Sequence, residues 1–460
     1  MERYCGENVD AKIVLGEWEY LKNRYEMREG QATYITVGRG QKNLWSALRC
    51  KEVYAQGAKL ANMLEVDSCE VDLTEAFLLG ESGVFAAFEG ILGAVYEQKF
   101  ALEGKIEKEI RWYWSVSLEK VLYKEKELER MVQNAYELGK DIMWARNMVN
   151  MPGNHLIPEE FAKQIVSFVK DVPVETEVYN REELKKMGLQ ALLSVGDSSA
   201  NAPCMVVLRY TGNPNLSERL GYVGKGVTCD TGGYCVKSSA SMKGIKGDMA
   251  GAAAVTASVR ALANNQVPVN VTAVIPICEN RISRESTLPG DVIRGLSGKT
   301  IEVLNTDAEG RLILSDAITW AIRKEGATKL VDIATLTGAV VQMLGFVMAG
   351  VMASDDAWWG CLQKAAISSG EKYWRMPMEE EYEKLIESDY ADVQNTSRDG
   401  CASVAAGLFL HRFTEGLPWL HLDIAGTASV PSPIWAFQSI GATGAGTSTL
   451  YHLAKQEADK

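Results

Sequence analysis

Seven short runs rich in β-branched residues recur in the second half of the chain, and helical candidates lie between several of them. The runs are CMVVLRY, LGYVG, VNVTAVIPI, TIEVLN, LVDIATL, GVMAS and WLHLDIAG. The helical candidates include GDMAGAAAVTASVRALANN, GRLILSDAITWAIRKEG and VAAGLFLHRF. Strands that alternate with helices are typical of parallel sheets covered by helices. We therefore predict an α/β fold whose mixed, largely parallel central sheet is flanked by helices.

The length of the chain predicts two domains, because 460 residues exceed one ordinary hydrophobic core. Between Lys124 and Asn150 apolar residues recur at helical spacing, and the prolines and glycine of NMPGNHLIP end that helix. We place the boundary near this helix. The prediction is a smaller N-terminal α/β domain over residues 1–135, the end of a linker helix over 136–150 and a catalytic domain over 151–460.

The composition limits the compartment and the partners. Nine cysteines are scattered without CxxC spacing, which argues against a disulfide framework and favours the cytoplasm. The chain has no apolar run of about 18 residues that could span a membrane, and its start does not resemble a secretory signal. A net charge of −12 argues against nucleic acid as a partner. With only four histidines, a catalytic metal would be held mostly by carboxylates.

The segment NTDAEGR crowds Asp307, Glu309 and Arg311 into five positions. In an extended chain the two carboxylates would point to one face, where they repel unless a positive group lies between them. A solvated turn is the alternative for such a pair taken alone. However, the segment follows the strand-like run IEVL and precedes a helical candidate. Active sites of α/β sheets lie at such carboxyl ends of strands.

A second stretch, GKGVTCDTGGYCVKSSASMKGIKGDMAGAAA, adds Lys225, Asp230, Lys237 and Asp248 beside glycine-rich turns. An aspartate at the start of a helix can also be a cap, which is the structural alternative for Asp248. The stretch does not match a phosphate loop, since Gly226 stands where Ser or Thr is required.

Converging carboxylates of this kind suit two divalent cations about 3.5–4 Å apart. The cation charge would remove the repulsion between the carboxylates. A lysine beside two cations can lose its proton and become a ligand, and a second lysine or an arginine can stabilise an oxyanion. A two-metal phosphatase follows the same logic and stays an alternative, although the chain lacks a phosphate-cradling loop.

The segments VGKGVTCDTGGYCVK, IKGDMAGAAAV and NTDAEGRLILSDA closely resemble the leucine aminopeptidase family, two-metal cytosolic exopeptidases that assemble as hexamers. The likeness extends through ARNMVNMPGNHLIP, DIATLTGA, ADVQN and WLHLDIAGTA, from about residue 140 to the C-terminus. It implies a leucyl aminopeptidase, a hydrolase that releases N-terminal leucine and other apolar residues from peptides by attack of a metal-bridging water.

The resemblance also implies which residues hold the cations. Asp230 and Glu309 would bridge the two metals, Asp307 would serve one of them, and Lys225 and Asp248 would serve the other. Zinc or manganese is expected in the two sites, with magnesium or cobalt as alternatives.

Further roles follow from the same resemblance. Lys237 would polarise the substrate carbonyl and stabilise the tetrahedral intermediate, and Arg311 would hold a bicarbonate ion that acts as general base. The residues that would line the substrate cleft are Ile245, Thr335, Leu336 and Gly338. Ile245 stands where the family has a methionine, Cys229 replaces an aromatic residue and Ser238 replaces a proline. The stiffer isoleucine predicts a narrower or reshaped pocket.

The resemblance predicts a cytoplasmic homohexamer whose N-terminal domain contributes to subunit contacts and whose substrates are short peptides. Some members of the family bind DNA as architectural or regulatory proteins, which gives the alternative function. The acidic net charge and the lack of a basic block argue against that alternative here.

Overall fold

The computed structural model describes residues 1–4, 8–16, 24–26, 32–97, 110–397 and 400–458. The chain divides into two compact units. The first unit comprises Met1–Met143, Ala366–Glu371 and Pro431–Ile440, and the second comprises Trp144–Ala365, Lys372–Val430 and Gly441–Lys460. The predicted domain bounds, 1–135 and 151–460 with the end of a linker helix over 136–150, stay a prediction.

A six-stranded sheet with helices forms the first unit. Its strands are β1 (Glu2–Arg3), β2 (Ala11–Leu15), β3 (Arg24–Glu26), β4 (Thr33–Val37), β5 (Ser68–Asp72) and β6 (Arg111–Ser115). Its helices are α1 (Ala47–Met63), α2 (Thr74–Phe77), α3 (Glu81–Val95) and most of α4 (Glu125–Asn150), with a short 3-10 helix at Lys42–Leu44. The strand order is β1-β6-β5-β2-β4-β3, and β3 alone among these described strands runs antiparallel to its neighbour. Helix α4 confirms the helix predicted up to Asn150.

The second unit holds the segments singled out in the sequence. Its helices are α5 (Pro158–Val169), α6 (Arg181–Met187), α7 (Gln190–Gly196), α8 (Ser239–Met242), α9 (Ala250–Asn264), α10 (Glu309–Arg323), α11 (Gly338–Leu344), most of α12 (Asp356–Ser369), α13 (Ala402–His411) and α14 (Thr447–Ala458). Its longer strands are β7 (Glu175–Tyr179), β8 (Cys204–Thr211), β9 (Leu220–Gly224), β10 (Gly226–Asp230), β11 (Asn270–Asn280), β12 (Asp291–Arg294), β13 (Thr300–Val303), β14 (Lys329–Ala334) and β15 (Ala349–Ala353). The remaining strands are β16 (Tyr373–Arg375), β17 (Val393–Gln394), β18 (Trp419–Asp423), β19 (Ser429–Val430) and β20 (Gly441–Ala442). Two 3-10 helices lie at Ile245–Gly247 and Glu380–Ile386.

A nine-stranded sheet is the centre of this unit, in the order β16-β15-β18-β14-β9-β11-β8-β7, with β10 added beside β11. The central strands β18, β14, β9 and β11 are parallel, and β10 is parallel to β11. Antiparallel pairings occur between β15 and β18, and from β11 through β8 to β7. The prediction of a mixed, largely parallel sheet flanked by helices is therefore confirmed.

Every residue of β9, β10, β11 and β18 is buried. Strands of parallel sheets are buried on both faces because helices cover the sheet, and this explains their continuous apolar sequences. Helices α7, α10 and α13 contribute Leu192, Ile313 and Phe409 to the buried core of the unit. Among the described helices, none combines the length and the apolarity needed to cross a membrane.

The run TIEVLN departs from the expectation. Its strand β13 lies in a separate three-stranded sheet, β12-β13-β17, because it pairs antiparallel with β12 just before it in the chain. The segment after it is not extended either, since Glu309 begins helix α10. The side chain of Asn305 accepts a hydrogen bond from the Asp307 amide at 2.9 Å, and such a local bond turns the chain towards the helix.

Helix α10 is anchored by a buried carboxylate. Asp316 accepts hydrogen bonds from the amides of Ala191 (2.8 Å), Leu192 (3.1 Å) and Leu296 (2.7 Å).

We predict that Asp316→Ala lowers the stability of the protein by about 3 kcal/mol, because buried donors left without an acceptor cost about 1–3 kcal/mol each. Thermal and denaturant unfolding monitored by circular dichroism measures this loss.

Asp197→Ala is the matched control, since Asp197 pairs with the partly exposed Arg181 at 2.7 Å. An exposed ion pair contributes about 0–1 kcal/mol. Equal effects of the two substitutions would contradict the anchoring role of Asp316.

Candidate metal centre

Lys225 is the single residue between β9 and β10, at the carboxyl end of β9. Its amide donates to the carbonyl of Ile333 at 3.1 Å, which holds this junction against β14. Its Nζ lies 2.8 Å from Asp248 Oδ1, 2.8 Å from Glu309 Oε1 and 3.1 Å from the carbonyl oxygen of Thr335. The side chain is almost wholly buried, so its charge depends on these neighbours.

Gly310 makes room for this lysine. A Cβ atom at residue 310 would lie 2.6 Å from Lys225 Cε and 2.7 Å from Lys225 Nζ. The glycine that follows Glu309 in the NTDAEGR segment therefore has a packing role. It lets the first turn of α10 approach the end of β9 closely enough for Glu309 to contact Lys225.

Asp230 is the last residue of β10 and lies opposite Asn280, the last residue of β11. Its Oδ1 accepts hydrogen bonds from the Gly232 amide (3.0 Å) and from Asn280 Nδ2 (2.9 Å). Its Oδ2 lies 2.6 Å from Lys237 Nζ. Parallel strands that end at the same edge thus bring the aspartate and the asparagine together, and the turn after β10 brings the lysine to them.

Lys237 also contacts Asp307 Oδ1, so one ammonium group joins two carboxylates. One oxygen from each of Asp230, Asp307 and Glu309 lies within 4.8 Å of the others. We call the six residues that meet here the acid–lysine cluster. Its members are Lys225, Asp230, Lys237, Asp248, Asp307 and Glu309.

Burial and mutual repulsion shift the ionisation of the cluster. Burial raises the pKa of Asp230 to about 6, with a further contribution from Glu309, and it raises the pKa of Asp248 well above its ordinary value. Burial acts in the same direction on Glu309, but Lys225 and Lys237 outweigh it and lower the pKa of that carboxyl. Burial also opposes the charge of both lysines, yet the carboxylates outweigh it and raise their pKa.

The residues present fit divalent cations. Asp248 Oδ2 and Glu309 Oε2 are buried and have no hydrogen-bond partner among the described residues. Four carboxyl groups face two ammonium groups within the cluster, so carboxyl oxygens remain that neither lysine contacts. Carboxylate oxygens with an amine nitrogen form a donor set that borderline divalent metals accept.

The cluster opens into a cavity of about 410 Å³. All six of its residues line this cavity, together with Ile245, Thr335, Leu336 and Gly338. These are the four residues predicted to line the substrate cleft, and their role in binding substrate stays a prediction. Ala425, Ala428 and Ser429 complete another part of the wall. A pocket with apolar walls and convergent polar groups at one end suits a small organic ligand.

Arg311 is buried in the first turn of α10, two residues after Glu309, and is not among the described residues that line the cavity. Its Nη1 donates to the Asn395 carbonyl at 2.7 Å, whereas its Nε has no partner among the described residues. Burial lowers the pKa of Arg311 to about 10. Its predicted role with bicarbonate stays a prediction.

Three polar residues around the site were not assigned a site role from the sequence. Asn280 contacts Asp230, and Thr306 accepts a hydrogen bond from the Cys235 amide at 2.8 Å. Asp423 accepts from the Leu336 amide at 3.1 Å, which supports the cavity wall. Asn280 and Asp423 end strands β11 and β18, so their position at carboxyl ends of strands was the available signal.

Comparison with known proteins gives one consistent group. The family profile described as "Cytosol aminopeptidase family, catalytic domain" matches residues 143–451. A relative named probable cytosol aminopeptidase from Clostridium perfringens (strain 13 / Type A) is 41% identical over 460 residues, which cover 99% of this chain and 88% of the relative. Another of that name, from Clostridium tetani (strain Massachusetts / E88), is 37% identical over 481 residues and covers 99% of both chains.

Solved structures agree with this similarity. The bottromycin maturation enzyme BotP superposes with a TM-score of 0.88 at 28% identity, over 98% of this chain and 100% of that chain. A structure of BotP in complex with Mn superposes with a TM-score of 0.87 at 28% identity and the same coverage.

The close packing of Gly310 on Lys225 predicts that Gly310→Ala weakens divalent-cation binding. The methyl group would displace the lysine from Glu309, although alanine is the better helix former by about 1 kcal/mol. We expect an affinity for Mn²⁺ that is lower by about 10-fold or more, as for residues that support metal ligands. Isothermal titration of metal-stripped protein measures it.

Gly360→Ala is the matched control, because residue 360 lies in helix α12 and a Cβ there would meet nothing within 4 Å. Its Mn²⁺ affinity should equal that of the unsubstituted protein. An unchanged affinity for Gly310→Ala as well would refute the packing argument.

Proposed function

Since the chain belongs to the cytosol aminopeptidase family, we propose that its acid–lysine cluster binds two divalent cations and that peptides lose their N-terminal residues there. The family assignment makes the chain a metal-dependent aminopeptidase with peptide substrates, and the resemblance seen in the sequence is confirmed at that level. The observation that carries the site proposal is the meeting of Asp230, Asp307 and Glu309 within 4.8 Å at the wall of the 410 Å³ cavity.

The proposed ligands are those that the resemblance to the family implies. Asp230 and Glu309 would serve both cations, Asp307 would serve one, and the contacting pair Lys225 and Asp248 would serve the other. The 2.8 Å contact between Lys225 Nζ and Asp248 Oδ1 supports the grouping of that pair. Cations bound among the carboxylates would offset the negative charge that now favours the ammonium form of Lys225. The lysine could then bind a cation as a neutral amine.

When bound, two divalent cations lower the pKa of a water molecule and polarise a carbonyl group. The residues of the chain then orient the reaction. Lys237 projects its ammonium group into the cavity next to Asp230 and Asp307, where it would donate to the oxyanion of the tetrahedral intermediate.

Arg311 is proposed to hold bicarbonate as the general base. Its Nη1 is fixed on the Asn395 carbonyl, and its buried Nε is without a partner among the described residues. A planar anion can be bound by two N–H groups of a guanidinium, which would compensate the buried charge of the arginine. In that role Arg311 would hold the group that supplies the general base of the reaction.

The apolar part of the cavity is proposed to select the N-terminal side chain of the substrate. Ile245, Leu336, Ala425 and Ala428 offer aliphatic surface on its wall. An uncharged aliphatic side chain would gain by burial there. This composition supports leucine and other apolar residues as preferred N-terminal residues.

Zinc or manganese is the proposed metal, with magnesium and cobalt as alternatives. A lysine nitrogen in the ligand set favours the borderline metals, and the related BotP has been solved in complex with Mn. We also propose a cytoplasmic homohexamer, on the strength of the family resemblance and of the relatives' name, cytosol aminopeptidase. None of the reported relatives is named for DNA binding, and the DNA-binding alternative gains no support.

The assignment predicts metal-dependent hydrolysis of leucine p-nitroanilide. Metal-stripped protein should be inactive, and added Mn²⁺ or Zn²⁺ should restore activity. Glu309→Ala should lose activity by more than the 10–100-fold typical of residues that merely support a ligand, because it removes a proposed bridge. The assay measures release of p-nitroaniline at saturating metal.

Glu415→Ala serves as the control, since Glu415 is a partly exposed partner of Arg323. It should retain the activity of the unsubstituted enzyme. A folded wild-type protein that stays inactive with every metal would contradict the proposed function.

The position of Ile245 in the cavity wall predicts a change in selectivity. Ile245→Met replaces a branched side chain by a flexible one, so kcat/KM for methionine and phenylalanine substrates should rise relative to leucine by about threefold or more. Ile367→Met, at an exposed position of α12, is the control. Ratios that do not change in either variant would exclude Ile245 as a selectivity residue.

A further inference from the structure

The turn from Thr231 to Val236 joins Asp230 to Lys237, two residues of the acid–lysine cluster that must face the same point. Gly232 and Gly233 have φ angles of +87° and +59°, in the left-handed region that favours glycine. Glycines in succession leave a turn with many accessible conformations unless other groups fix it. The distance between the aspartate and the lysine therefore depends on what holds this turn.

Asn280 holds the beginning of the turn. Its Nδ2 donates to Asp230 Oδ1 and to the Thr306 carbonyl, each at 2.9 Å. The main-chain carbonyl of Asn280 accepts hydrogen bonds from the amide and from the hydroxyl of Thr231, at 3.0 and 2.9 Å. Because Oδ1 of Asp230 is engaged by Asn280 and by the Gly232 amide, the other oxygen, Oδ2, is the one that faces Lys237.

Thr306 holds the middle of the turn. Its hydroxyl donates to the Gly232 carbonyl at 2.7 Å and accepts from the Cys235 amide at 2.8 Å. The turn also packs directly on both side chains, since a Cβ at residue 233 would lie 3.0 Å from Asn280 Oδ1 and 3.0 Å from Thr306 Oγ1. Asn280 and Thr306 are themselves buried, with 4% and 6% of their surfaces exposed.

We propose that Asn280 and Thr306 are positioning residues for the peptidase reaction: Asn280 orients the Asp230 carboxylate, and Thr306 fixes the path of the chain to Lys237. This inference rests on the proposed function of the acid–lysine cluster. It assigns separate effects to the two residues, because one acts through a proposed metal ligand and the other through the lysine that faces the substrate.

The two variants should therefore differ in what they change. Asn280→Ala removes the side-chain amide that donates to Asp230 and to the Thr306 carbonyl. The affinity of this variant for Mn²⁺ should therefore fall by about 10–100-fold. Thr306→Val keeps the shape of the side chain but loses both hydroxyl bonds. It should bind Mn²⁺ within about threefold of the unsubstituted protein, whereas kcat at saturating Mn²⁺ should fall by about 10-fold or more, with a smaller change in KM.

Asn270→Ala is the matched control for Asn280. Asn270 lies at the other end of β11, is 3% exposed, and donates from its Nδ2 to the carbonyls of Leu216 (3.0 Å) and Glu218 (3.3 Å). It should lose stability as Asn280→Ala does, with Mn²⁺ affinity and kcat unchanged. Thr306→Ser keeps the hydroxyl and should recover most of the kcat that Thr306→Val loses.

The experiment combines isothermal titration with Mn²⁺ alone, steady-state kinetics with leucine p-nitroanilide and thermal unfolding of all five proteins. The proposal is overturned if Asn280→Ala and Asn270→Ala lose stability alike while neither affinity nor kcat moves. It is also overturned if Thr306→Ser is no more active than Thr306→Val. A wild-type protein that binds no Mn²⁺ and is inactive would instead overturn the proposed function, and this inference with it.

Discussion

Repulsion among buried carboxylates is the constraint on which the site depends. Four carboxylates meet where Lys225 and Lys237 supply the opposing charge within the cluster. Lys225 Nζ lies 2.8 Å from both Asp248 and Glu309. Lys237 Nζ lies 2.6 Å from Asp230 and also contacts Asp307. Such a concentration of like charge in a poorly solvated place is unfavourable unless cations offset it. The fold must therefore hold these groups together against their own electrostatics, and divalent cations are the species that would make the arrangement favourable.

The sheet supplies that restraint. Lys225 and Asp230 stand at the ends of β9 and β10, which β14 and β11 hold in place by backbone pairing. Glu309 comes from the first turn of α10, where the helix dipole favours a carboxylate. Three rigid elements, β9, β10 and α10, thus hold these cluster residues, and Gly310 allows α10 to come close enough to Lys225. A binding site built on strand ends and a helix start is more precisely held than one built on loops.

The turn between Asp230 and Lys237 is the exception to this rigidity, and side chains compensate for it. Two glycines give the chain its path, while Asn280 and Thr306 fix that path through hydrogen bonds. The cavity wall is supported in a comparable way by Asp423 below Leu336. The proposed chemistry at the cluster and the proposed selectivity of the cavity would therefore depend on polar residues that do not themselves face a substrate.

The fold class, the family and the residue types of the candidate site could be predicted from the sequence, because β-branched runs, helical spacing and the motif around Glu309 are local signals. The sequence did not show how the segment around Glu309 is folded. The run TIEVLN looked like a strand of the central sheet, yet β13 pairs in a small separate sheet, and Asn305 turns the chain so that Glu309 begins a helix. Pairing partners, the closeness of Lys225 to Gly310 and the support given by Asn280 join residues far apart in the chain. These contacts are visible only in the folded chain, since no local pattern records which distant groups share a hydrogen bond.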